Sequence, residues 1–203
     1  MKIFTNHRYA LITGIVLALA LSYALHRALV PDAEFNHLAL ARWVHIVSGV
    51  FWIGLLYYLN AVQVPAMATA AEDKGGPGPA AIGKYVAPRA LFWFRWAAVV
   101  TWVAGAWLLE ARFIDAFTFG LLMEVPDYQT VVIGIGAWLG TIMLLNVWGI
   151  IWPNQKKVLG IKPATDEEKA QARKTALYAS RTNFILSIPM LLCMSATSHG
   201  LPL

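Results

Sequence analysis

The sequence predicts an all-α integral membrane protein, a bundle of about five transmembrane helices forming a single domain over 1–203, on three observations. Only 13% of the residues are charged and 59% are hydrophobic, whereas a water-soluble domain carries about 25% charged residues. The apolar residues come in runs of roughly 20, the length one helix needs to cross a hydrocarbon core about 30 Å thick. The breaks between the runs are polar or rich in proline and glycine, as segments outside the hydrocarbon must be.

The first run, 9–29, follows Lys2 and Arg8 and has the outline of a signal peptide. It is long for the apolar region of one and lacks a small-residue cleavage site before Pro31, so it is read as a retained helix. The second run, 41–66, ends ahead of a 72–79 stretch with two prolines and three glycines that no helix would contain. The third covers 90–110. After it, 113–128 is too apolar for a free loop and is expected at the outer surface or against a partner. The fourth run, 130–152, carries Gly136 and Gly140 at the spacing that permits close helix approach, and Pro153 is expected to stop it. Segment 165–174 reads as a short polar helix with Asp166, Glu167 and Glu168 in its first turn, separate from the fifth run at 180–199. No internal repeat stands out.

Orientation follows from the basic residues, because cytoplasmic loops hold the excess of Lys and Arg. Threaded through five spans, 13 of them fall on one side and only Arg27, Arg42 and Arg112 on the other. The expectation is a cytoplasmic N-terminus and, with five spans, a C-terminus on the outer face. Trp93, Trp96 and Trp152 then stand near the inner interface and Trp43 and Trp107 near the outer one, where indoles prefer to sit. The formal charge of +5 belongs to this pattern. It points to the lipid bilayer as partner and not to nucleic acid.

A single cysteine, Cys193, excludes an internal disulfide, a CxxC metal site and covalent haem c. Histidines are the remaining candidate ligands. His45 lies one turn into the second helix, His199 at the end of the fifth, His37 in the first outer loop and His26 near the outer end of the first helix. Imidazole ligates haem iron, copper and zinc. His45 is the strongest candidate, because Ser48 and Gly49 one turn on and Trp52 two turns on place small residues and an aromatic ring on its face. Haem b or copper held by His45 and His199, with His37 and His26 as further candidates for a metal, is the cofactor expectation; packing histidines are the competing reading.

A second polar set, Asn60, Gln63, Arg95, Asn146, Arg181 and Asn183, falls in the inner half of the bundle. Such groups are costly in hydrocarbon and should face one another. They read as a structural hydrogen-bond network or as a site for a polar or anionic small molecule, with Arg95 and Arg181 also able to reach lipid phosphate. No phosphate-cradling loop is present, no Ser/His/Asp set that the topology could bring together, and no pair of intramembrane carboxylates suited to proton pumping.

Four blocks in order, Trp43 to Gly54, Leu91 to Trp96 with Thr101 and Trp102, Asn146 to Trp148 with Ile151 to Lys157, and Ser180 to Asn183 with Ser187 to Met190, resemble the membrane domain of the bacterial membrane-bound urate hydroxylase family, the urate oxidase N-terminal family. The resemblance spans roughly 41–199 and leaves the first helix outside. It implies an inner-membrane oxidoreductase linked to conversion of urate to 5-hydroxyisourate, with electrons passed to a cytochrome c. Fuller members have more spans and a C-terminal cytochrome c domain with CxxCH; this chain lacks that motif, so the acceptor is expected to be a separate cytochrome c. The alternative expectation is a non-catalytic accessory subunit of a larger respiratory or oxidase-type complex, working with other membrane subunits. A small-solute carrier is third, because the inner polar set does not continue across the membrane.

Overall fold

In the computed structural model, which describes residues 2–30, 32 and 34–202, the described residues are helical with no strand. Five helices are long and apolar enough to cross a membrane: α1 His7–Leu29, α2 His37–Glu72, α3 Ile82–Phe117, α4 Tyr128–Val158 and α5 Asp166–His199. A four-residue helix, Lys2–Thr5, precedes them. The chain divides into two compact units, Met1–His37 and Leu38–Leu203. The first is α1, started by Asn6, whose side chain accepts the Arg8 amide at 2.9 Å and satisfies one of the orphan donors of the first turn.

The second unit is built from α2 to α5, with neighbouring helices running antiparallel. Phe51 of α2 stacks on Trp93 of α3 with centroids 5.8 Å apart. Trp102 Nε1 of α3 donates to Thr141 Oγ1 of α4 at 2.8 Å. Asn146 of α4 donates to the Ala179 carbonyl of α5 at 2.8 Å, and Tyr57 of α2 meets Phe184 of α5 edge-on at 5.1 Å. The ring α2–α3–α4–α5 is thereby closed around Leu56, Phe94, Met143 and Val147, all fully buried. Lipid tails are as apolar as these side chains, so close packing and interhelical hydrogen bonds hold such a bundle together.

Three of the helices carry a wide turn beside a proline. A π-helical turn occurs at Tyr58–Gln63 in α2, at Ile82–Val86 at the start of α3 and at Val147–Ile151 in α4. Each is followed at the second residue by a proline: Pro65, Pro88 and Pro153. A proline inside a helix lacks the N–H for its i−4 bond and its ring collides with that carbonyl. Widening the preceding turn relieves the collision and lets the helix continue. The expectation that Pro153 stops the fourth helix is therefore corrected: α4 runs on to Val158.

The expected separate helix at 165–174 is corrected as well. It is the first part of α5, begun by a capping box in which Thr165 Oγ1 accepts the Glu168 amide at 3.2 Å and Glu168 accepts the Thr165 amide at 2.9 Å. Ala, Lys, Leu and Arg fill the stretch to Arg181 with no breaker, so nothing interrupts the helix.

Segment 113–128 folds partly onto its own unit. Its first part, Phe113–Phe117, ends α3 as a short helix whose Ala116 is fully buried. Trp138 Nε1 of α4 donates to the Phe117 carbonyl at 2.9 Å. A left-handed pair, Phe119 at φ 56° and Gly120 at φ 74°, then reverses the chain. Leu121, Leu122 and Val125 beyond it are exposed.

Candidate functional site

His45 is half-buried on the face of α2 that packs against α3. Its Nδ1 lies 2.8 Å from the Thr101 carbonyl oxygen. A carbonyl only accepts, so Nδ1 carries a proton, and in the neutral ring the lone pair is on Nε2. Gly105 makes this approach possible, since a Cβ there would stand 3.0 Å from His45 Cε1 and 3.1 Å from Nδ1. The Thr101 side chain, buried with its hydroxyl donating to the Ala97 carbonyl at 2.8 Å, fills the space beside Gly49, its methyl 3.7 Å from where a Cβ on Gly49 would be.

The neighbours of His45 are thus part of the α2–α3 contact. Ser48 is buried and donates to the Val44 carbonyl of its own helix at 2.6 Å. Trp52 is buried, and its Nε1 has no partner among the described residues. His199 is exposed at the last residue of α5, and no hydrogen bond joins it to His45 among the described residues. His37 opens α2, and His26 lies in the last turn of α1. Among the described residues no three His, Cys, Asp or Glu side chains converge on one point.

The inner polar set divides into three. Asn60, Asn146 and Asn183 build a seam around one stretch of α5. Asn60 Nδ2 donates to Ser180 Oγ at 2.8 Å and to the Leu56 carbonyl at 2.9 Å. Asn146 Nδ2 donates to the Ala179 carbonyl and, at 2.7 Å, to Asn183 Oδ1, while Asn183 Nδ2 donates to the Met143 carbonyl at 3.0 Å. Gln63 is buried on the π turn beside Asn60, and both Gln63 Oε1 and Asn60 Oδ1 lack a donor among the described residues. Arg95 lies over the Trp152 ring at 3.8 Å, and Arg181 is half-buried on α5.

At the opposite end of α4, Asp127 caps the helix by accepting the Thr130 amide at 2.7 Å and its hydroxyl at 2.8 Å. Arg112 donates to Thr130 Oγ1 at 2.7 Å and pairs with Asp127 at 3.5 Å. The Thr130 amide first, then its hydroxyl and the Arg112 charge hold the Asp127 carboxyl below the usual carboxylate range.

Thr101 and Gly105 were not legible as site residues. The partner of His45 is a backbone carbonyl, which no residue type announces, and Gly105 sits in an apolar run where glycine has many uses.

These features define an all-helical protein with five helices apolar enough for a membrane, a buried interhelical amide seam and one histidine oriented through its Nδ1. Residues 113–201 match the family model described as Urate oxidase N-terminal. The match lies within the second unit and takes in two of the four sequence blocks, those with Asn146 and Asn183; His45 and Arg95 lie outside it. No curated protein and no solved structure matches the chain.

Proposed function

We propose that the chain is a multi-pass inner-membrane oxidoreductase component of the urate hydroxylase type, in which His45 ligates haem b or copper near the outer face and electrons leave to a separate cytochrome c. The observation that carries this reading is the 2.8 Å bond from His45 Nδ1 to the Thr101 carbonyl. Metal-bound imidazoles nearly always donate their other ring N–H in this way, which fixes the tautomer and ring orientation and raises the basicity of the free nitrogen. The residues present fit one imidazole ligand from His45, with His199, His37 and His26 as the other candidate donors. Either group would supply one-electron transfer. The chain's part is to hold His45 on the α2–α3 contact, where the Thr101 carbonyl orients its ring and Gly105 gives it room. The orientation, N-terminus inside, rests on the 13 basic residues against three.

A second reading, an accessory subunit working with other membrane subunits, is favoured by the lack of a three-donor cluster among the described residues. Haem and metal content of protein purified from its native membrane separates the two. The redox reading expects a haem spectrum or copper in wild type, lost in His45→Ala while the protein still inserts, together with urate-dependent reduction of an added cytochrome c. Wild-type protein containing neither group would sink it and leave the accessory reading.

A further inference from the structure

Two cations meet at one indole in the halves of α3 and α4 nearer the basic loops. Arg95 lies over the Trp152 ring with its guanidinium carbon 3.8 Å from the centroid, and Lys156 Nζ is 6.0 Å from the same centroid. The two charges therefore stand within about 10 Å of each other. Neither forms an ion pair or hydrogen bond to a described residue. Both are half-buried, so water does not fully solvate them. One turn before Trp152, Trp148 packs against Trp96 at 5.4 Å, and its Nε1–H is buried without a partner among the described residues.

This is a surplus of positive charge with no acceptor among the described residues. A guanidinium lying over a ring still offers N–H groups at its edge, in the fork that matches an oxyanion. Like charges held near one another repel, and an anion within reach of both offsets that repulsion.

We infer that Arg95 and Lys156, with Trp152 as their platform, form a binding site for a phosphate-type oxyanion. The site is independent of the His45 reading. Two sources share this chemistry, the phosphate of an anionic phospholipid and free phosphate. For the lipid, the exposed Phe92, Trp96 and Ile150 offer an apolar surface on the same helices for its chains. Basic groups beside a span at the basic side of a membrane protein attract anionic headgroups.

The test uses the full chain, delipidated in detergent and read by native mass spectrometry and tryptophan fluorescence. The probes are phosphatidylglycerol, a phosphate-free galactolipid and inorganic phosphate. Wild type should retain phosphatidylglycerol over the galactolipid. Lys156→Gln, at the edge of the bundle and expected to fold, should weaken retention about tenfold, the scale of one charge-assisted contact. Arg95→Gln should weaken it further and Arg95→Lys restore part of it, whereas Lys174→Gln should leave it unchanged. Saturable binding of inorganic phosphate that phosphatidylglycerol does not displace, lost in the same variants, would identify a free anion as the source. Equal retention of both lipids with no phosphate binding, or binding indifferent to Arg95 and Lys156, would overturn the proposal.

Discussion

Glycines on α4 differ in what a single added methyl would meet. On Gly134 a Cβ would land on the Ala116 carbonyl oxygen, a backbone atom that cannot move aside without shifting the end of α3. At Gly136 it would come within 3.1 Å of Cys193 Cβ on α5, whereas at Gly140 nothing lies within 4 Å. Gly134→Ala should therefore destabilise the bundle by about 1–3 kcal/mol, the range for overpacking. Gly140→Ala should be neutral or stabilising by up to about 1 kcal/mol through helix propensity. Unfolding midpoints of both variants in detergent check the contrast; equal effects would show that α4 does not approach α3 as closely as the structure has it. Asp127 supplies a residue-scale pH dependence. Its folded carboxyl is held below the ordinary range, so its contribution is present above about pH 4, the unfolded value, and is lost as pH falls through the folded one. Protection of the Thr130 amide, its hydrogen-exchange rate compared with the intrinsic rate at the same pH, should fall on acidification in wild type. In Asp127→Asn, which still caps but does not titrate, that dependence should flatten.

At the scale of the element, the π turns decide which side chains share a face. Each inserts an extra residue before a proline, and beyond it the helix is rotated by about 100° relative to an uninterrupted one. In α2 the turn carries Asn60 and Gln63 and presents Asn60 to Ser180. Pro65→Ala removes the reason for the wide turn. It should let α2 recover regular bonding and turn Asn60 away from α5. A cysteine pair at 60 and 180, in a Cys193→Ala background, should cross-link readily with Pro65 and poorly without it. Undiminished cross-linking would mean that the α2–α5 packing, and not the proline, maintains the π turn. The prolines were visible in the sequence, but their usual reading as helix ends was wrong at Pro153. Local chemistry says only that the regular bond is lost, and whether the helix breaks or widens depends on the packing on either side of it.

For the whole molecule, the asymmetry of basic residues fixes an expected orientation that labelling can test. Cysteines placed at Gly76 and Leu121, again without Cys193, should react oppositely with a membrane-impermeant maleimide in intact cells: position 121 labelled, position 76 protected. The reverse pattern would invert the topology. The sequence by itself determined the number of long apolar helices, the polar breaks between them and the residue types available for chemistry, because apolar length, proline, glycine and charge act locally on each segment's fate. It also marked Asn60, Asn146 and Asn183 as groups needing partners, since an amide in an apolar helix is too costly to leave bare. Only the tertiary structure decided which partners they took, that Gly134 and not Gly140 lies against a neighbouring backbone, that His45 is oriented by the Thr101 carbonyl, and that Arg95 and Lys156 meet at Trp152. The physical reason is that these contacts join residues far apart in the chain and often use backbone atoms, which every residue carries alike; helix rotation and approach select among them, and those are set by the packed bundle as a whole.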